Sequence, residues 1–279
     1  MHLHNAHTQC AYTTCVRERR CRKGGVMRKI IAVANQKGGV GKTTTAGAMI
    51  AGLANRGFKV LGVDLDPQGN LSDSCGAEMY QKPTVYELLK YEEGLDSVIQ
   101  KIQGFDIIPA NIMLAGAEQE LSQTGKEHRL KEMVSPAAEN YDYIVIDTPP
   151  SLGILTVNAF TFADEIIIPT TAGIFATKGI QQLNTTIKNV RKYCNPSVAV
   201  AGILLTKFNP RTNISKMIKE LTEQLSQHID VPIYETFIRV GIVVEEAQAN
   251  RMDIFSYSGK STVSEDYSAF IEEYLRREQ

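Results

Sequence analysis

Residues Asn35–Thr44 read Asn-Gln-Lys-Gly-Gly-Val-Gly-Lys-Thr-Thr, a run whose residue types suit phosphate chemistry. Gly38, Gly39 and Gly41 permit positive φ and let the backbone come close to an anion. Lys42 carries a charge that can reach β- and γ-phosphate oxygens, and Thr43 a hydroxyl that can ligate Mg²⁺. Carboxylates of use to such a site occur twice more. Asp64 and Asp66 stand in Asp64-Leu-Asp66-Pro-Gln-Gly-Asn70, and Asp147 opens Asp147-Thr-Pro-Pro150. An Asp at the end of a buried strand can hold Mg²⁺ directly or through water.

The flanking segments explain how these groups would be positioned. Arg28–Ala34 is a short apolar, β-branched run and reads as a buried strand. Ala46, Met49, Ile50, Leu53 and Ala54 fall on one helical face, and Gly57 stands where a helix C-cap belongs. A glycine-rich turn between strand and helix gathers backbone amides at the positive end of the helix dipole. Lys59–Leu65 and Tyr143–Ile146 read as further strands that end in the acids. Loop and carboxylates would then share the carboxyl edge of a parallel sheet. Asp64 reads as a strand-end carboxylate facing the metal shell, with Asp66 one pleat further in a Pro-Gln-Gly turn. A dinucleotide fingerprint is excluded, because Gly39-Val-Gly41 would need Gly where Thr44 stands. The loop also departs from the usual P-loop pattern: Gln36 replaces its first Gly, and a second lysine, Lys37, opens it.

Lys37-Gly-Gly-Val-Gly-Lys-Thr-Thr44, followed by the Asp66 and Asp147 motifs in that order, resembles the deviant P-loop of the ParA/MinD family of ATPases. Soj-type ParA DNA-partitioning members look nearest, and the resemblance runs from about residue 28 to the C-terminus. It implies an ATPase with ATP and Mg²⁺, an ATP-dependent sandwich homodimer, and non-specific DNA binding released by hydrolysis. It further implies stimulation by a ParB-type centromere-binding partner, in the cytoplasm on the nucleoid. By the same resemblance, Lys37 reaches the partner subunit's phosphates, and Gly38, Gly39, Val40, Gly41, Lys42, Thr43 and Thr44 hold nucleotide. Thr43, Asp66 and Asp147 serve the metal. Asp66 orients the attacking water, so that Lys37, Lys42 and Asp66 form the catalytic set. Asn209 lies where the family contacts adenine. Arg211 lies where Soj-like members place DNA-contacting residues, and Lys216 and Lys219 follow as further basic candidates. After Val244-Glu-Glu-Ala247 the family often carries a Ser/Pro-rich base-contacting loop, and this chain has Gln248-Ala-Asn-Arg251 instead.

Bulk properties narrow the class. The 279 residues can bury a full core. Alternating strands and helices imply an α/β fold, a doubly wound, mostly parallel sheet flanked by helices as in P-loop NTPases. Residues 27–279 read as a single domain. Residues 1–26 hold His2, His4, His7, Cys10, Cys15 and Cys21, but no Cys-x2-Cys pair of a zinc site. They read as an unfolded leader, too short for a helix-turn-helix domain, so specific operator binding is not expected. The leader carries +4, which leaves −5 on the remainder against −1 for the whole chain. DNA binding must therefore come from a local patch. Five cysteines, an odd count, fit a reducing cytoplasm better than a disulfide scaffold.

Relatives within the family are separated by the tail. Tyr267, Phe270, Ile271, Tyr274 and Leu275 form an apolar stripe flanked by Glu265, Asp266, Glu272 and Glu273. A MinD-like anchor needs Lys or Arg there to meet anionic lipid, so the stripe is expected to pack on the domain, with no membrane contact. Cys75 and Cys194 form no Cys-x-x-Cys for an iron–sulfur cluster, and the C-terminal tyrosine cluster of kinase relatives is absent. The alternatives are a MinD-like or other positioning ATPase with non-DNA cargo, or a slow ATP-bound scaffold.

Overall fold

The structure, a computed structural model, describes residues 28–102, 104–121, 124–171 and 176–278. The expected leader at 1–26, with its histidines and three cysteines, lies outside the described residues.

In chain order the elements are β1 (Lys29–Val33), α1 (Lys42–Ala54), β2 (Val60–Asp64), α2 (Asn70–Ser74), α3 (Val85–Tyr91), α4 (Leu95–Val98), β3 (Gln100–Ile102) and β4 (Phe105–Ile108). There follow α5 (Ala117–Glu120), α6 (Arg129–Ala138), β5 (Tyr143–Asp147), α7 (Ile154–Phe162), β6 (Glu165–Thr171), α8 (Ala176–Tyr193), β7 (Ala199–Phe208) and α9 (Asn213–Ile229). The chain closes with β8 (Ile233–Arg239), α10 (Val243–Ala249), α11 (Ile254–Ser258) and α12 (Thr262–Arg277). The eight strands lie in the order β3-β4-β2-β5-β1-β6-β7-β8, parallel throughout except for the β3–β4 hairpin. This is the doubly wound sheet expected.

The strands from β4 across to β8 feed two cores. On β1, Ile30 and Ala32 face α3, α6, α7 and α8, whereas Ile31 and Val33 face α1 and α12. Strands buried on both faces must be apolar at every position, which is why β1, β2 and β5 read as continuous Val, Ile and Leu runs rather than alternating ones. The apolar stripe of α8, Ile180, Leu183, Ile187 and Val190, is buried on the first side. A 3₁₀ turn, Ile112–Gly116, leads directly into the short α5. Helix α9, 17 residues long, and strand β8 are among the elements not read from the sequence.

Register brings the carboxyl edge together. Val33 and Asp64 both pair with Asp147, so the ends of β1, β5 and β2 form one row. Strand β5 inserts between β1 and β2, after which the chain crosses to the other side of β1 as β6. Ligands of open α/β sheets bind outside the carboxyl ends at such a reversal.

The tail packs on the domain, and its acids have a use. Tyr267, Phe270, Ile271, Tyr274 and Leu275 are buried. Glu273 accepts the Glu235 and Thr236 N–H groups at 2.8 and 2.9 Å, and Asp266 accepts the Arg239 N–H at 2.9 Å. These are amides of the edge strand β8, which would otherwise be open to pairing. At the amino edge of the sheet Lys29 bridges Glu165 and Glu278, and the Tyr274 hydroxyl donates to Glu165. Among the described residues no helix is long and apolar enough to cross a membrane.

Replacing Glu273 by Ala strands two amides and the Arg277 guanidinium that pairs with it. We expect Glu273→Ala to lose about 2–3 kcal/mol in chemical denaturation. Glu272→Ala, which removes a mostly exposed carboxylate 3.3 Å from Arg56, should lose less than about 1 kcal/mol.

Candidate active site

The loop after β1 is held open by geometry that begins at its glycines. Gly39 and Gly41 adopt positive φ, 72° and 84°. Gly38 does not, so its part is close approach rather than a left-handed turn. Gly41 is the N-cap of α1 and brings no capping side chain, nor does the first turn contain an acid. A Ser or Asp cap would have consumed the first amides of the helix. Here the N–H groups of residues 38–44 donate to no partner among the described residues, and the first helical bond is Thr45 N–H to the Gly41 carbonyl. Seven consecutive donors at a helix N-terminus make a receptor for an anion.

Two side chains not singled out in the sequence pin this loop. Asn35 accepts the Lys37 N–H at 3.0 Å and donates to the Pro169 carbonyl of β6 at 2.8 Å. Thr206, near the end of β7, donates to the Val40 carbonyl at 2.7 Å. No local pattern reveals the second contact, because its partners are 166 residues apart.

The charged groups divide into buried and exposed sets. Lys42 is buried and donates from Nζ to the Lys37 carbonyl at 3.2 Å. Burial lowers its pKa, with Asp147 and then Asp66 pulling the other way. Lys37, five residues earlier, is exposed. Asp147 is fully buried, and neither carboxylate oxygen has a hydrogen-bond partner among the described residues. Burial and then the neighbouring Asp64 push its pKa well up; the Thr43 hydroxyl and Lys42 oppose this, the former without reaching hydrogen-bond geometry. Such an orphaned carboxylate beside a threonine hydroxyl fits a hard cation. Among the described residues no cluster of three or more His, Cys, Asp or Glu could hold a metal. A shell that began with Thr43 and Asp147 would take its other oxygens from phosphate and water, as Mg²⁺ prefers.

Asp64 departs from the expectation of a carboxylate facing the metal. Its Oδ1 accepts the Asp66 N–H at 3.0 Å, and its Oδ2 accepts the Ser72 N–H at 2.9 Å and hydroxyl at 2.7 Å. Burial pushes its pKa up to about 6 against those bonds. Both oxygens are occupied in shaping the β2–α2 turn, and Ser72 in turn accepts the Ala110 N–H. That turn presents Asp66, nearly buried, with Oδ1 fixed by the Gln68 N–H at 3.0 Å and Oδ2 unpaired among the described residues.

The remaining candidates lie further along the same edge. Asn209 is exposed just beyond β7 and accepts the Arg211 N–H at 3.1 Å, which shapes the turn into α9. Arg211, Lys216 and Lys219 are all exposed. They do not make an uninterrupted basic surface: Lys219 lies 3.8 Å from Glu223, and Ile214, Met217 and Leu221 are exposed between them.

Because the Asp147 charge is disfavoured by folding, it costs stability above the ordinary carboxylate range and less as pH falls toward it. Asp147→Asn should therefore melt higher than the parent at pH 7 in chelator, by about 2–4 °C. The difference should shrink toward pH 4, and the variant should lose the stabilisation that Mg²⁺ with nucleotide gives the parent.

Residues 28–200 match the model of a family described as AAA domain. The sporulation initiation inhibitor protein Soj of Bacillus subtilis is 40% identical over 245 residues, covering 86% of this chain and 96% of Soj. The chromosome partitioning protein ParA of Myxococcus xanthus is 37% identical over 254 residues, covering 90% and 89%. Among solved structures, the cobyrinic acid a,c-diamide synthase of Mycobacterium smegmatis with bound ATP analog and magnesium superposes with a TM-score of 0.78. It is 33% identical, over 90% of this chain and 96% of that one. With loop, carboxylates and sheet order in place, the chain belongs to the AAA domain family, within its ParA/Soj group of chromosome-partitioning proteins.

Proposed function

We propose that the protein hydrolyses ATP and uses the nucleotide state to switch a homodimer on and off DNA. The observation that carries this reading is the pair of lysines in one loop. Lys42 is buried and turned into the loop, so one cation already serves phosphate within the chain. Lys37 is exposed at the same edge, where a lysine suits the phosphates of a facing subunit. The nucleotide and metal in the Mycobacterium smegmatis structure support ATP and Mg²⁺ as ligands.

The reaction is phosphoryl transfer to water: a water oxygen attacks the γ-phosphorus, the bond to the bridging oxygen breaks, and ADP and phosphate leave. The free amides of residues 38–44 and Lys42 hold the phosphates in line. The unpaired Oδ2 of Asp66 orients the water, its partner oxygen being fixed by the Gln68 N–H. Thr43, Asp147 and Asp66 are the residues that would hold Mg²⁺, which when bound would supply positive charge to offset that on the phosphates. By the resemblance to the family, Asn209 would contact the adenine. The resemblance to ParA proteins implies a ParB-type partner that stimulates turnover, and a cytoplasmic, nucleoid-bound pool.

Lys42→Ala should abolish ATP binding in calorimetry. Asp66→Ala should keep binding and lose turnover; normal hydrolysis by that variant would remove its assigned role.

DNA binding should require ATP and fail with ADP, since only a dimer doubles a weak local patch on a chain of net charge −1. Affinity for random duplex should fall steeply with salt. Lys37→Ala should impair dimerisation and DNA binding more than ATP binding, and Arg211→Ala should weaken DNA binding with the dimer intact. A salt titration in both nucleotide states, beside sedimentation, reads all of these. Equal DNA binding in both states, or liposome binding instead, would favour a MinD-like positioning ATPase. Stable ATP binding without measurable turnover would favour a scaffold.

A further inference from the structure

Thr206 is buried in β7, and its methyl and Cβ lie 3.8 Å from the position that a Cβ on Gly41 would take. Its hydroxyl has one proton and two carbonyls in range, Val40 at 2.7 Å and Thr170 at 3.2 Å. The shorter contact is the consequential one. Were Gly41 helical rather than left-handed, α1 would start one residue earlier and the Val40 carbonyl would accept the Thr44 N–H, four residues on. That bond is not formed: Thr44 N–H donates to nothing among the described residues, and Val40 is capped by Thr206 instead. The same contact fixes a second donor. Carbonyl and N–H of one trans peptide point in opposite directions, so turning the Val40 carbonyl toward β7 turns the Gly41 N–H away from it, into the loop.

We propose that Thr206 is a positioning residue of the phosphate loop: its hydroxyl stands in for an amide of α1 at the Val40 carbonyl and so keeps the Gly41 and Thr44 N–H groups for phosphate. This rests on the nucleotide reading above. Thr206 touches no reacting atom. It acts through the loop, and it links the loop to the strand that leads to Asn209.

Two measurements decide it. The first uses the unmodified protein. Amide hydrogen exchange at Thr44 should be fast without nucleotide, while Ala46 onward is protected, and should slow when ADP is added. A Thr44 amide protected without nucleotide would overturn the proposal. The second compares Thr206→Val, which keeps shape and loses the hydroxyl, with Thr206→Ser, which keeps the hydroxyl. In Thr206→Val the Val40 carbonyl should recapture Thr44, so that the Thr44 amide becomes protected. ADP affinity should then fall about tenfold and KM for ATP rise similarly, with kcat within about twofold. Thr206→Ser should restore both to within about twofold of the parent. Unchanged ADP affinity in Thr206→Val, or a Thr206→Ser as weak as Thr206→Val, would overturn it. Should the parent bind no ADP, the ATPase reading fails, while exchange at Thr44 without nucleotide still reports on Thr206.

Discussion

Seven backbone N–H groups, from Gly38 to Thr44, are held together without a hydrogen-bond partner among the described residues, beside a buried lysine and a buried, unpaired carboxylate. Unpaired groups of this kind are expensive in a folded chain. Extending α1 backward by a turn would pair the amides of residues 42–44 with the carbonyls of residues 38–40. What prevents this is a set of contacts from neighbouring strands: Asn35 to Pro169 of β6, Thr206 of β7 to Val40, and left-handed Gly41 at the helix start. The anion receptor is therefore a property of the sheet, in which β1, β6 and β7 must be adjacent before the loop has its shape.

The carboxylates obey a similar division. Asp64 and Asp147 end neighbouring strands and pair in register, yet their surroundings give them opposite tasks. Three donors from the β2–α2 turn satisfy Asp64, which makes it an organiser of the segment presenting Asp66. Asp147 meets none, so its charge needs a cation. Two like charges so close also disfavour one another, which reinforces the demand.

Helix α12 shows how one sequence pattern can serve a fold in place of a membrane. Its apolar stripe fills the second core, and Glu273 and Asp266 reach the amides of β8. A basic polar face would have left that edge open. At the carboxyl edge, by contrast, Ile214 and Met217 of α9 and Val240 and Ile242 after β8 remain exposed, as do Arg211 and Lys216. The surface offered to partners there is mixed apolar and basic, with Glu220 and Glu223 on the same helix.

Much of this was legible in the residues themselves. The period-free apolar runs of β1, β2 and β5 marked a sheet buried on both faces. The spacing of Gly39, Gly41, Lys42 and Thr43 between a strand and a helix marked a phosphate loop. The apolar positions of α12 marked its inward face, because burial demands that periodicity whatever the neighbours. Other features were decided only in three dimensions. Nothing near Thr206 announces a bond to a residue 166 positions earlier, and nothing near Asp64 announces that Ser72 will take its charge. Hydrogen bonds of single polar side chains leave no periodic trace. Helix α9 escaped for a related reason, since its apolar face is wide and partly exposed, which blurs the stripe. Local sequence determines which faces must be buried; strand order determines which lone polar groups meet, and the site is made of the latter.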